Sequence, residues 1–531
     1  LCSKKKVGKK SSMTTMGRAI VSRPALASIG TITFNANKNL EESAMGKKMR
    51  QLRILSAEQI TKIHQTSVRI LGEIGVKIDA KEAVDILIGS GCTVADGRVY
   101  FPVSLIDKVT SLPGRPLLLH SRTGQTVRVR PDRSLVHNCG TVATVSEMAH
   151  GGKHREATLR DAADFTRLLD ALDSIDAVVP MVYPQDVPQE VSLFYAVKEA
   201  IKHTTKPICG PGVSNLTEAR YIHEMFLLLA GSAKNLRQNP MYDLGFSPLS
   251  PLTMPEKDTE AAIWAAKQGV PIGIIPCPIT GMTAPFSLLG ALTQQNSEML
   301  AALVLFRLID HDLPVSYGAR LSRGDLRFGG TLGGLPETAV LGACAVQLAD
   351  YYSMESNVYG ADSGSNLADA QAGWEKAINT MLPAYIGSDW LSGAGAVNDG
   401  ASVSYEQLVM DDEMFSMVFQ LFGTLQDDDE DYGLQGIKDV VENDANFLTQ
   451  ESTIRHLRSP EQWMRPAYIG NIRGYTGWLE GGGHDSVTTA GARVAKLLAE
   501  QPTSSLDVAI EKEFDRIIDA ASRELRRNQE R

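Results

Sequence analysis

Five short apolar runs end in residues that could bind or react. They close as Val182-Tyr183-Pro184-Gln185-Asp186, Gly245-Phe246-Ser247-Pro248, Pro276-Cys277-Pro278-Ile279-Thr280-Gly281, Ser316-Tyr317-Gly318-Ala319-Arg320 and Tyr359-Gly360-Ala361-Asp362-Ser363. Polar groups and tight turns at the C-terminal ends of strands are where barrel enzymes carry their active sites. Gly and Pro at such places also merely punctuate loops. Glu298 stands in an apolar helical stretch, Leu288–Leu308, where an unpaired charge would be costly. It either reaches a cavity or forms a salt bridge within the scaffold.

Other chemistries lack their residues. No G-x-x-x-x-G-K-S/T loop is present, which excludes phosphate-loop NTPase chemistry. Gly329–Gly334 is glycine-rich, but no strand directly precedes it and no acid stands at ribose distance, so it reads as a loop. Gly151 and Gly152 break any helix that would bring His150 and His154 onto one metal. Asp411-Asp412-Glu413 and the acids of Asp427–Asp431 read as surface charge. The six cysteines are scattered without a C-x-x-C pair, and so are expected reduced rather than in disulfides or a zinc site.

The elements that would position these groups alternate along the chain. Candidate strands are Ala177–Tyr183, Pro207–Gly212, Met241–Phe246, Pro271–Pro276, Pro314–Gly318, Asn357–Ala361, Tyr385–Leu391 and Phe447–Glu451, with helices of ten to twenty residues between them. Eight strand–helix units without hairpin signals predict a parallel α/β chain over 158–500, folded as a (β/α)8 TIM-type barrel in preference to an open doubly wound sheet, since periodicity alone does not show closure. Residues 49–157 read as an N-terminal helical and β-rich extension, with a helix at Ser56–Ile74 and short strands that include Ser134–Asn138. Residues 501–531 read as a C-terminal helix. Residues 1–48 form a basic leader with no acid before Glu41, either a targeting signal or sequence upstream of a natural start near Met49. The 531 residues carry a net charge of −9, with no concentrated basic face and no apolar run of membrane length. Nucleic acid and membrane are therefore not expected partners, and a cytoplasmic homo-oligomer is expected.

Separated blocks add to this reading: Ser250-Pro251-Leu252, Gly281-Met282-Thr283-Ala284-Pro285, Leu289-Gly290-Ala291-Leu292, Asn296-Ser297-Glu298-Met299-Leu300 and Tyr317-Gly318. Asp369-Ala370-Gln371-Ala372-Gly373-Trp374-Glu375-Lys376, Gly393-Ala394-Gly395 and Tyr405-Glu406-Gln407-Leu408-Val409-Met410-Asp411 follow in order. With them the chain resembles, from about Leu55 to Ala499, the trimethylamine methyltransferase family of corrinoid-dependent enzymes. The resemblance implies a barrel that binds a small methylated amine in its mouth. It also implies a separate corrinoid protein that presents the cobalt of its cobalamin as methyl acceptor, with no metal held by this chain.

In relatives acting on trimethylamine, pyrrolysine precedes the Gln of the D-x-Q-A-G block by nine residues; counted from Gln371, that position is Asp362, and no pyrrolysine occurs. Relatives without pyrrolysine resemble quaternary-amine demethylases acting on glycine betaine and similar compounds. The catalytic candidates are then Asp362 and Glu298. Asp362 would either pair with the ammonium or cap the following turn. A cage for the cation would come from Tyr183, Phe246 and Tyr317, with Phe286 and Tyr359 in reserve; core packing is the plainer use of each ring. Arg320 or Arg323 would take a substrate carboxylate. Asn138 and His137 are further candidates, and Gln371 and Glu375 either touch substrate or lock their helix to the barrel. The expected function is transfer of a methyl group from a glycine betaine-like quaternary amine to a corrinoid protein. A tertiary methylamine as donor, or a non-catalytic amine-binding chain, are the alternatives.

Overall fold

The structure is a computed structural model that describes residues 52–130, 132–421, 432–443, 446–458, 469–471, 473–500 and 506–529. The expected leader over 1–48 lies outside the described residues.

Six strands form one parallel ladder in the spatial order Leu135–Asn138, Trp390–Ala394, Ser356–Tyr359, Val315–Ala319, Ile272–Ile274 and Leu244–Phe246. Single parallel bridges close the ring, from Tyr242 to Ile208, from Ile208 to Val178 and from Ala177 to His137. Two further strands therefore lie at 177–178 and 208, making an eight-stranded parallel barrel. Helices follow the strands in turn: Leu159–Ala171, Ser192–His203, Leu216–Ala230, Glu256–Gln268, Leu288–Ile309, Pro336–Tyr351, Ala370–Ile386 and Tyr405–Gln420. The expected (β/α)8 fold is present.

Three strand assignments from the sequence are corrected. The strand expected at Ser134–Asn138 in the extension is the first strand of the barrel. The strand expected at Phe447–Glu451 is instead a single 3-10 turn, Phe447–Thr449, leading into the helix Glu451–Arg458. Counting strand–helix repeats finds a barrel's units but cannot see where the ring starts. The β-rich stretch before the first strand hid it. The seventh candidate strand is also shifted, because the Ala370–Ile386 helix takes its first residues and the strand runs Trp390–Ala394.

The extension explains why Leu288–Ile309 is buried on nearly all sides. One face packs on the barrel wall. The other is covered by the helix Ala57–Glu73, whose Ile63, Val68 and Leu71 are buried. Ser56 starts that covering helix with a capping box shared with Gln59, a device worth about 1 kcal/mol. The C-terminal helix Val508–Gln529 packs on Leu216–Ala230, with Glu524 accepting from Tyr221 at 3.0 Å. No helix among the described residues is long and apolar enough to cross a membrane. The five described cysteines are unpaired.

Candidate active site in the barrel mouth

The strands aim their C-terminal ends at one cavity of about 360 Å³. Barrel interiors are ordinarily filled by bulky branched side chains. Here Gly245 and Gly273, neighbours in the wall, together with Gly210 and Gly393, leave that space open. A methyl on Gly273 would stand 3.3 Å from the Ser316 hydroxyl. Leu244, Phe246, Ile272 and Ile274 alternate with these glycines and pack outward into the core.

That alternation decides which candidates reach the cavity. Asn357 and Tyr359 line it, as does His137. Tyr317 lies on the outward face, where its hydroxyl donates to Gln295 at 3.1 Å and Asn296 at 2.9 Å. Phe246 points outward too, edge-on to Phe306 with ring centroids 5.3 Å apart. Asn138 turns away from the cavity: its amide donates to Val179 and Cys139 carbonyls, both at 2.8 Å, and its oxygen accepts from Val179 N–H. Tyr183 is half-buried and donates to the Gly212 carbonyl at 3.3 Å, outside the cavity wall. The aromatic cage expected from Tyr183, Phe246 and Tyr317 is therefore not assembled. Of the reserves, Tyr359 lines the cavity, while Phe286 is exposed and stacks under Arg323 at 3.8 Å. Nearness to a strand end does not fix the face a ring takes, because a shift of one residue along a strand moves a side chain to the other face.

Arg320 does reach the cavity. Its guanidinium donates to the carbonyls of Ala319 at 3.0 Å and Asn357 at 2.7 Å, and to Asn357 Oδ1 at 2.6 Å. It also lies over the Tyr359 ring, 5.1 Å from the centroid. Three of its five N–H donors are thus used within the wall. Asn357 passes the order on: its Nδ2 stands 3.1 Å from His137 Nε2, and His137 Nδ1 donates to the Asn138 carbonyl at 2.9 Å. Burial and the Arg320 charge push His137 down to about 4, so the ring is neutral.

The carboxylates stand apart in kind. Asp362 is 5% exposed and lines the cavity, with Oδ1 accepting from Ser363 N–H at 3.0 Å. Burial raises its pKa, and the charges of Lys376 and Arg320 hold the rise back. Asp399, beside it, accepts from Gly333 N–H at 2.7 Å; burial and the Asp362 charge raise it to about 6. A side chain at Gly333 would fall 2.1 Å from Asp362 Oδ2, so the glycine-rich loop lies directly on this pair. Glu375 takes Ser363 Oγ at 2.7 Å and Gly364 N–H at 3.0 Å, and also accepts from Gln371 at 2.9 Å. Gln371 and Glu375 therefore brace the loop carrying Asp362.

Asp243 was missed from the sequence. It lines the cavity, accepts from Gly210 N–H at 2.7 Å, and is raised to about 6 by burial. Its signal was available: it is the one charged residue in the run Met241–Phe246 and shares the parity of Gly245.

Glu298 lies away from the cavity. It accepts from Ser250 Oγ at 2.8 Å, Leu252 N–H at 2.9 Å and Gln294 Nε2 at 3.0 Å. Of the two expectations it meets the scaffold one, through hydrogen bonds instead of a salt bridge. Its catalytic assignment is corrected accordingly. Glu298→Ala is expected to cost about 1–3 kcal/mol of stability, because two buried donors lose their acceptor. Chemical denaturation reads that loss, while calorimetric affinity for a methylated amine should stay within about twofold. A larger loss of affinity would return Glu298 to the site.

Asp411 is a further correction. It is 1% exposed, not surface charge, and Lys376 Nζ donates to it at 3.0 Å. Asp412 accepts from Ser174 N–H at 2.9 Å and Glu413 from Ile469 N–H at 2.6 Å, so this acidic run binds the scaffold together.

Comparison with known proteins follows the same line. A family model described as trimethylamine methyltransferase (MTTB) matches residues 32–526. The trimethylamine methyltransferase MttB of Desulfitobacterium hafniense is 29% identical over 410 residues, covering 77% of this chain and 82% of that protein. MttB of Methanosarcina barkeri strain Fusaro is 26% identical over 484 residues, covering 90% and 96%. The glycine betaine methyltransferase of Desulfitobacterium hafniense strain Y51 is 28% identical over 488 residues, covering 91% and 99%. With nearly its whole length matched and its cavity at the C-terminal mouth of a (β/α)8 barrel, the chain belongs to the trimethylamine methyltransferase family and is a methyltransferase.

Proposed function

We propose that this enzyme moves a methyl group from a small quaternary amine bearing a carboxylate, of the glycine betaine kind, to the cobalt of a corrinoid protein. The observation that carries the proposal is a cavity holding both signs of charge: Arg320 with two N–H donors to spare, and the carboxylates Asp362, Asp399 and Asp243. A zwitterion complements such a wall; a bare trialkylamine uses only half of it. The resemblance to a glycine betaine methyltransferase supports the same reading. Without a ring cage, the ammonium is balanced mainly by Asp362 and Asp399, with the rings of Tyr359 and His137 in the same wall.

A quaternary ammonium has no lone pair to protonate and leaves as a neutral tertiary amine, so no covalent catalyst is required. The chain's task is to hold the substrate by its carboxylate at Arg320, turn a methyl toward the mouth and exclude water. A cavity of about 360 Å³ seats an amine of this size and leaves a corrin macrocycle on its own carrier. The corrinoid supplies the reduced cobalt that accepts the methyl group. The test is calorimetric titration with glycine betaine, choline and trimethylamine, followed by conversion of betaine to dimethylglycine with a reduced corrinoid protein. Betaine is expected to bind at least about tenfold more tightly than choline, the worth of one charge-assisted pair. Equal affinities would remove the carboxylate from the reading, and binding without methyl transfer would remove betaine as the methyl donor.

The carboxylates also set a pH dependence. Asp399 and Asp243 titrate at about 6 in the empty protein. A permanently charged ammonium binds their ionised forms, so betaine affinity is expected to be flat above pH 7 and to fall as pH drops through 6. For the empty protein the sign reverses. Both groups hold protons more tightly folded than unfolded, so their ionisation costs stability, which rises as pH falls from about 6 toward 4. Affinity that strengthens on acidification would sink the assignment.

A further inference from the structure

The floor of the cavity carries polar groups that a ligand held only at Arg320 and the mouth leaves untouched. Ser316, Gly318 and Arg320 take alternate positions along one strand and its end, on the side opposite Tyr317. Four residues separate Ser316 from Arg320, about 13 Å of strand. The Arg320 guanidinium turns back to Asn357, which pairs with Gly318, so it ends one inward position above Ser316. A carboxylate held there leaves the level of Ser316 open beneath it.

Glycine keeps that level hollow. Gly273 pairs with Gly245 on one side and with Ser316 on the other. A methyl on Gly273 would stand 3.3 Å from Ser316 Oγ and 3.7 Å from Asp243 Oδ2, so both oxygens flank the same space. Neither is used up by the scaffold. Ser316 is 4% exposed, and its hydroxyl makes no hydrogen bond among the described residues. Asp243 is 7% exposed, with Oδ1 taken by Gly210 N–H at 2.7 Å and the Cys209 thiol beside it. No cation pairs with Asp243 among the described residues. Buried polar groups left without partners are costly, and native interiors keep few of them.

We infer that Asp243 and Ser316 form a second subsite that takes a hydroxyl of the substrate, so the methyl donor is a betaine with a hydroxyl-bearing side chain. The inference rests on the zwitterion reading above: Arg320 holds the carboxylate, and the hydroxyl hangs beneath it. A hydroxyl both donates and accepts, which suits a carboxylate beside a serine. It donates to Asp243 and accepts from Ser316. A second ammonium could only donate, and would enter a cavity that already holds the Arg320 charge. An apolar tail would leave both oxygens dry. The size agrees, because about 360 Å³ lies in the range of pockets that enclose ligands larger than glycine betaine.

Calorimetric titration tests this with the trimethylated betaines of serine and homoserine. Their partners are those of alanine and 2-aminobutyrate, which differ only in lacking the hydroxyl, and glycine betaine is run beside them. At least one hydroxyl compound is expected to bind about tenfold more tightly than its partner, the worth of a hydrogen bond to a charged acceptor. Asp243→Asn should cut that ratio severalfold, and Gly273→Ala, which fills the floor, should bring it near one. The ratio is the readout, because a damaged fold weakens both members of a pair. Ratios near one in the wild type overturn the inference, while glycine betaine binding still supports the zwitterion. A ratio that survives both substitutions places the hydroxyl elsewhere and overturns it too. If no betaine binds, glycine betaine included, the zwitterion reading and the floor subsite fall together.

Discussion

Replacing Arg320 by alanine is expected to weaken glycine betaine binding by roughly two orders of magnitude and to leave trimethylamine binding within a few fold. The guanidinium is buried in the cavity wall and fixed by three hydrogen bonds to Ala319 and Asn357. Truncating one partner of a buried, hydrogen-bonded charge pair costs about 3 kcal/mol or more, and each 1.4 kcal/mol is about tenfold in dissociation constant. Some stability goes with it, because the Asn357 side chain loses a donor and its contact to His137 loosens. The ratio of betaine to trimethylamine affinity separates the two effects, since a damaged fold weakens both ligands. Arg320→Lys keeps the charge but not the planar fork, and is expected between wild type and alanine. If alanine weakens both amines equally, Arg320 supports the wall and does not read a carboxylate.

The second large effect is expected beneath the site. Lys376 Nζ donates to Asp411 at 3.0 Å and to the Ala361 carbonyl at 2.7 Å. Asp411 in turn accepts from Gly395 N–H and from Gln407 Nε2, both at 2.7 Å. Both side chains are 1% exposed. One ion pair thus ties the end of the Ser356–Tyr359 strand to the end of Trp390–Ala394, one residue before Asp362. Lys376→Met leaves a buried carboxylate without its cation, a loss of about 3–5 kcal/mol. Urea denaturation of the variant should show that loss, and Asp411→Leu added to it should recover part, because the orphaned charge is then removed. A charge on the surface would change stability by less than about 0.5 kcal/mol, so a small effect would contradict the burial described above.

Asp411 shows how a sequence misleads about burial. Acid-Asp-Glu runs on helices usually face water, and nothing in the spacing of Asp411 and Lys376 says that they meet across two barrel units. Glu298 went the other way. Its apolar surroundings correctly marked it as buried, but its carboxylate is satisfied by three donors, two of which, Ser250 and Leu252, come from far back in the chain. Phe246 and Tyr317 failed for a third reason, the face of the strand, while Tyr359 two residues on from Asn357 has the right one.

The sequence alone carried what depends on order and period: alternating strands and helices that make a parallel barrel, the blocks that identify the family, and Asp362 and Arg320 past strand ends. These are local or counted properties, and they survive without coordinates. Only the tertiary structure decided where the ring begins, since Leu135–Asn138 finds its neighbours at Ala177 and Trp390 and nowhere nearby in the chain. The strand faces were likewise a tertiary matter, as were the glycine-hollowed interior and the buried partners of Asp243, Asp411 and Glu298. A charge's environment is set by what folding brings beside it from distant strands, and no spacing within one segment contains that.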